Sequence, residues 1–155
     1  MYIPDKFKYE AIKRIDTPEG RRYATPDGQK LPSVTTILDA TKSEESKKAL
    51  QEWRNRVGHV KAQAITTEAA GRGTRMHKWL ENYVKTGETG EPGSNPYSQQ
   101  SHKMAMTLIE NYLSKHVDTY YGSEVNLFYP GLYAGTTDVV ADWDGEISIL
   151  DFKQS

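Results

Sequence analysis

Asp138, Asp151 and Lys153 are the residues whose types and spacing bear most directly on chemistry. They lie in GTTDVVADWDGEISILDFK (135–153), where two runs rich in Thr, Val, Ile and Leu flank Asp144-Gly145. Asp-Gly between alternating apolar residues signals a β-hairpin, because a type I′ turn needs positive φ at both central positions. A two-residue turn pairs Trp143 with Glu146 and, counting back, sets Asp138 opposite Asp151. Alternation then puts Asp138, Val140 and Asp142 on one face with Ile149, Asp151 and Lys153. Val139, Ala141, Leu150 and Phe152 face the other way, as a core requires. Like charges directly opposite each other destabilise a sheet. Two carboxylates so placed, with a lysine on the same face, call for a cation between them. The plain alternative is a surface hairpin whose acids are solvated.

The elements that must position this hairpin come from a chain of 155 residues, enough for one domain with an ample core. Hydrophobic residues make up 36% and charged residues 26%, and no run approaches a membrane span. The first residues lack an apolar signal-peptide core. With no cysteine, disulfides and thiolate metal sites are excluded. These features point to the cytoplasm and away from a membrane. Residues 1–90 carry 17 Lys and Arg against 12 Asp and Glu, whereas residues 91–155 carry 3 against 9. A basic part beside an acidic one suits a protein that grips phosphates and cations with different regions. Uneven surface charge is the simpler alternative.

The chain opens with one or two short hairpins, in KYEAIKRID and GRRYAT with a turn at Pro26-Asp27-Gly28. Pro32-Ser33 starts a helix with Val34, Ile37 and Leu38 as an apolar stripe. The hydroxyls of Ser33, Thr35 and Thr36 at its N-terminus offer either a phosphate contact or simple capping. Residues 44–56 are helical, with Leu50, Trp53 and Val57 at core spacing. A second helical pattern after Gly58 is interrupted at Gly71-Arg72-Gly73. TRMHKWLENYVKTG then forms a third helix, with Thr74 as N-cap, Met76, Leu80, Tyr83 and Val84 inward, and Gly87 as stop. His77 and Glu81 stack one turn apart on it, and Arg72, Arg75 and Lys78 surround the same turn, suited to an anion. A Gly/Pro-rich loop (86–96) precedes a helix over about 97–117, with Met104, Leu108, Ile109, Tyr112 and Leu113 apolar, and then a strand over 119–129. There is no phosphate-binding glycine loop and no zinc spacing.

G-T-x-D (135–138) and the strand ending D-F-K (151–153), preceded by G-T-x-x-H (73–77) opening a helix, resemble the PD-(D/E)xK nuclease superfamily. The chain is similar to the RecB-like branch, and within it to phage exonucleases and the mitochondrial genome maintenance exonuclease; PSVTTIL near the N-terminus also resembles the last group. The resemblance covers most of residues 31–153. It implies an α/β fold with a restriction-endonuclease-like core, a mixed central β-sheet flanked by helices and a small N-terminal hairpin region, as a single nuclease domain. Relatives commonly have Thr where this chain has Gln154, and they continue into a further helix carrying Gln and Tyr. The 155 residues are therefore expected to be a domain incomplete at its C-terminus.

By the same resemblance, Asp138 and Asp151 hold a metal and Lys153 is catalytic. His77 adds a ligand, the Phe152 carbonyl supplies a backbone oxygen, and Glu124 is an accessory acid. The implied cofactor is Mg²⁺ or Mn²⁺, which suits hard oxygen ligands with one imidazole. The implied activity is a metal-dependent deoxyribonuclease, an exonuclease acting on single-stranded DNA ends. Ser33, Thr35, Thr36, Arg72, Arg75 and Lys78 are the candidate DNA contacts, and Trp53, Trp79 and the tyrosines either stack bases or pack the core. Two alternatives stay open: a non-catalytic nucleic-acid-binding module, and a sequence-specific endonuclease of the same fold.

Overall fold

The structure, a computed structural model, describes residues 1–154. Its contacts divide the chain into two units. One comprises Met1–Lys8, Ala69–Val125 and the chain from Thr137 onward; the other comprises Tyr9–Glu68 and Asn126–Thr136.

The second unit contains an antiparallel sheet of β1 (Lys13–Thr17), β2 (Gly20–Ala24) and β3 (Lys30–Pro32), in that order. These are two linked hairpins, as expected. Gly28, at φ 86°, closes the second, where Thr25 N donates to Gln29 O across 2.9 Å. Ile12, Tyr23, Leu31 and Ala134 form the small core, with Phe128 packed on it. A polar chain ties this unit together. Tyr23 Oη meets Thr136 Oγ1 at 3.0 Å, Thr136 donates to Asn126 Oδ1 at 2.6 Å, and Asn126 donates to the Ile12 carbonyl at 3.1 Å.

α1 (Val34–Ala40) starts where expected, with Ser33 as N-cap accepting from Thr36 N. α2 (Glu44–Val57) follows, capped by Ser43. The expected inward stripes on both helices are not buried: neither helix contains a buried residue, and Val34, Leu38 and Leu50 are exposed. Spacing marks a helix face but not what covers it.

The glycine interruption is a second difference. α3 runs unbroken from His59 to Thr86, through Gly71 and Gly73. Thr74 is not a cap; its hydroxyl donates to Ala70 O at 3.0 Å within the helix. Glycine costs about 1 kcal/mol against alanine in a helix interior, which weakens a helix without ending it. Gly73 is there for clearance. A Cβ on it would stand 2.8 Å from Gln154 Nε2. Gly87, at φ 76°, ends α3 as anticipated.

α4 (Pro96–Leu108), capped by Asn95, continues through a π-helical turn (Ile109–Leu113) and a last short turn (Ser114–His116). β4 (Val117–Tyr129), β5 (Tyr133–Trp143) and β6 (Glu146–Leu150) form the second sheet in sequential order. The first unit's core gathers Met76, Leu80 and Val84 of α3, Ala105, Ile109 and Leu113 of the α4 segment, and Tyr120, Val139, Ala141 and Phe152.

The molecule is mixed α/β, but its two three-stranded sheets are antiparallel, not one mixed sheet. Among the described residues, parallel pairing is limited to the isolated bridges Tyr2↔Tyr120 and Ser33↔Ala134. Short turns join each pair of neighbouring strands, whereas parallel neighbours need long crossovers. No helix among the described residues is long and apolar enough to cross a membrane.

Candidate functional site

The hairpin forms as its turn chemistry dictates. Asp144 and Gly145 take φ of 50° and 88°, and the register runs from Trp143↔Glu146 to Val139↔Leu150. Val139, Ala141 and Phe152 are buried in the core with Leu150 packed on it. The ladder stops one pair short of the aspartates, because β6 ends at Leu150. Side chains of β5 take over there. Thr137 Oγ1 donates to Leu150 O at 3.3 Å, and Asp138 Oδ2 accepts from Phe152 N at 2.8 Å. Asp138 and Asp151 are therefore not a strand pair, and the Asp138 carboxylate caps the strand end.

α3 delivers the second group to the same carboxylate. His77 Nε2 lies 3.1 Å from Asp138 Oδ2, and His77 Nδ1 lies 2.8 Å from the Gly73 carbonyl one turn back. The carbonyl only accepts, so Nδ1 carries a proton; facing a carboxylate, Nε2 carries the other. Asp138 raises His77 to about 9, against the opposing effect of burial and with help from the Gly73 carbonyl. Burial is the largest influence on the Asp138 carboxyl and pushes it up. The hydrogen bonds from His77 and the Phe152 amide, together with Asp151, outweigh that and hold it at about 2. The pair is largely shielded, with side-chain exposures of 31% and 15%.

Asp151 and Lys153 are more open. Lys153 Nζ lies 2.8 Å from Asp151 Oδ2, and the two side chains are 77% and 51% exposed. The hydrogen bond that Lys153 donates to Asp151 raises the lysine above its ordinary value. Glu124 belongs to the same electrostatic neighbourhood. Desolvation raises its carboxyl, and Asp138, Glu81 and Asp151 add to the rise while His77 opposes it. It sits in β4 at φ 52°, a left-handed conformation uncommon for glutamate.

The remaining candidates are dispersed. Arg72 Nε donates to Gln154 Oε1 at 3.1 Å. The Arg75 guanidinium lies over the Tyr97 ring, and Lys78 is exposed. Glu81 turns from His77 to Lys85, at 2.7 Å. Ser33 is buried, its hydroxyl committed to Thr36 N and Thr36 Oγ1 at 3.0 and 2.8 Å; Thr35 is exposed beside it.

Two residues escaped assignment from sequence. The Gly73 carbonyl orients His77, and Gln154 fastens the segment after β6 to α3 by donating to Ala69 O at 2.9 Å. The i, i+4 spacing of Gly73 and His77 was a usable signal, since that carbonyl lies along the histidine's own helix face. Gln154 carried none.

Among the described residues no three His, Asp or Glu side chains form a ready-made metal cage. The donor chemistry nonetheless fits a hard divalent ion. Loss of the shared proton leaves an imidazole nitrogen and a carboxylate oxygen 3.1 Å apart. Adjacent ligands of an octahedral ion, bonded at about 2.1 Å, stand about 3 Å apart. Metal-binding histidines also tend to donate their other N–H to a carbonyl, the role Gly73 fills here. No family model and no curated protein matches the chain.

Proposed function

We propose that the chain is a metal-dependent phosphodiester hydrolase of the PD-(D/E)xK type, RecB-like branch, acting on single-stranded DNA ends. The observation that carries this reading is the meeting of His77 from α3 with Asp138 from β5 at the end of β6, where Asp151 and Lys153 follow. The α3 and α4 helices beside the β4-β5-β6 sheet are read as its restriction-endonuclease-like core.

Asp138, Asp151, His77 and the Phe152 carbonyl would hold Mg²⁺ or Mn²⁺, with Glu124 as accessory acid. When bound, the ion supplies Lewis acidity and a nucleophilic water at neutral pH. The chain's own groups do the rest. The Gly73 carbonyl fixes the imidazole tautomer, and the Phe152 amide fixes the Asp138 carboxylate. Lys153 is cationic at neutral pH and Asp151 raises it further, so the lysine acts as a positive charge beside the scissile phosphate and stabilises the charge that develops there.

The test is cleavage of end-labelled single-stranded DNA with and without Mg²⁺ or Mn²⁺, beside a circular single strand. Metal-dependent shortening of the linear strand alone is expected. Cutting of the circle would identify an endonuclease, and binding without cleavage a non-catalytic module.

A further inference from the structure

The opposite face of α3 holds a cleft that the candidate site does not use. Arg75 and Lys78 lie about 200° and 100° around the helix from His77, at 100° per residue. The cleft, of about 450 Å³, is lined by Arg75, Lys78, Trp79, Asn82 and Ser98. That volume falls within the range of about 300–1,000 Å³ typical of small-molecule sites.

Its floor is rigid. Trp79 donates through Nε1 to Ser101 Oγ at 3.2 Å and meets His102 edge-on at 4.9 Å. Gly90 closes on the indole so tightly that a Cβ would stand 2.6 Å from Cζ3. Arg75 and Lys78 make the rim cationic, and the Tyr97 ring stands beside it. Arg75 lies 5.7 Å from the centre of the exposed Tyr97 ring, and its Nε is sealed from solvent with no hydrogen-bond partner. Neither Arg75 nor Lys78 has a carboxylate partner among the described residues, although Lys85, Lys47 and Lys153 all do.

Two unneutralised cations beside two aromatic rings are complementary to an anion that carries a flat ring. We infer that this cleft and the exposed Tyr97 ring beside it bind one nucleotide unit of a single-stranded nucleic acid, its phosphate on Arg75 and Lys78 and its base stacked on the face of Tyr97 turned away from Arg75. The inference deepens the nuclease reading by giving the strand a second hold on the far face of α3. It also accounts for cations in this helix that the hydrolytic centre does not engage.

The probe is a short fluorescein-labelled oligothymidylate, its anisotropy followed in EDTA so that binding is measured without cleavage. The proteins are the wild type, Arg75→Gln/Lys78→Gln, Tyr97→Ala, and Lys47→Gln/Lys48→Gln as a charge-matched control on α2. The Arg75/Lys78 variant is expected to bind about tenfold more weakly, with the slope of log affinity against log salt reduced by about 1.4 for two lost phosphate contacts. Tyr97→Ala is expected to lose about five- to a hundredfold through lost stacking. The control pair should lose less than the cleft pair. Equal losses in the control and cleft pairs, or full affinity in Tyr97→Ala, would overturn the inference. Binding through the cleft without any Mn²⁺-dependent cleavage would sink the nuclease reading and leave this one standing. Cleavage with unchanged binding in the Arg75/Lys78 variant would do the reverse.

Discussion

Gly73→Ala separates the two roles of the glycine in α3. The new methyl would stand 2.8 Å from Gln154 Nε2, closer than such contacts tolerate, and the atom that must yield is the tip of a flexible side chain. Gln154 can swing away, but it then surrenders the bonds to Ala69 O and from Arg72 Nε, at 2.9 and 3.1 Å. Each is worth about 0.5–1.5 kcal/mol at most, given their exposure. Alanine in place of a helical glycine returns about 0.8–1.0 kcal/mol. Net stability should therefore change by no more than about 2 kcal/mol, and Tm by a few degrees on the scale of about 2–4 °C per kcal/mol. Activity should respond far more. Releasing Gln154 loosens the segment that carries Asp151 and Lys153, and a displacement of about 1 Å costs about a hundredfold in rate. Initial rates on end-labelled single-stranded DNA with Mn²⁺, paired with thermal melts, measure both. Gln154→Ala should reproduce the rate loss, and the double variant should be no worse than either single one, because both act through the same clamp. A fully active Gln154→Ala beside a dead Gly73→Ala would refute the clamp.

Three further outcomes follow from the site. Asp138→Asn should abolish cleavage and remove most of the thermal stabilisation conferred by Mn²⁺; calorimetry showing undiminished metal affinity would take Asp138 out of the site. Lys153→Ala should slow turnover about a hundredfold while DNA affinity stays within about twofold, since one lysine is a small share of a distributed phosphate grip; a large affinity loss with a modest rate loss would make it a phosphate clamp. The pH dependence has two limbs. His77, raised to about 9, contributes stability that is complete below about 6.5 and is lost as pH climbs through about 9, whereas Asp138, held at about 2, contributes stability lost as pH falls through that value. A metal must displace the Nε2 proton, so apparent Mn²⁺ affinity should rise up to about tenfold per pH unit between about 6 and 8. A flat titration would exclude His77 as a ligand.

Local chemistry alone determined the hairpin. Asp144-Gly145 admits positive φ at two successive positions, which sets the turn, and the turn sets the register that sends Val139, Ala141 and Phe152 inward. The inward stripe of Met76, Leu80 and Val84 and the stop at Gly87 were legible for the same reason: each depends only on residues within a turn or two. What lay beyond that range was decided by partners distant in sequence. Gly71 and Gly73 read as a break because glycine disfavours a helix, yet α3 continues through them, with Gly73 leaving room for Gln154. The apolar spacing of α1 and α2 announced a buried face, yet neither helix holds a fully buried residue. The aspartates read as a strand pair, but a carboxylate can satisfy a backbone N–H as well as a carbonyl can. Asp138 therefore took the Phe152 amide and met His77, 61 residues away in the chain. Pattern constrains what each segment can form; which polar groups satisfy one another is settled only where the segments meet.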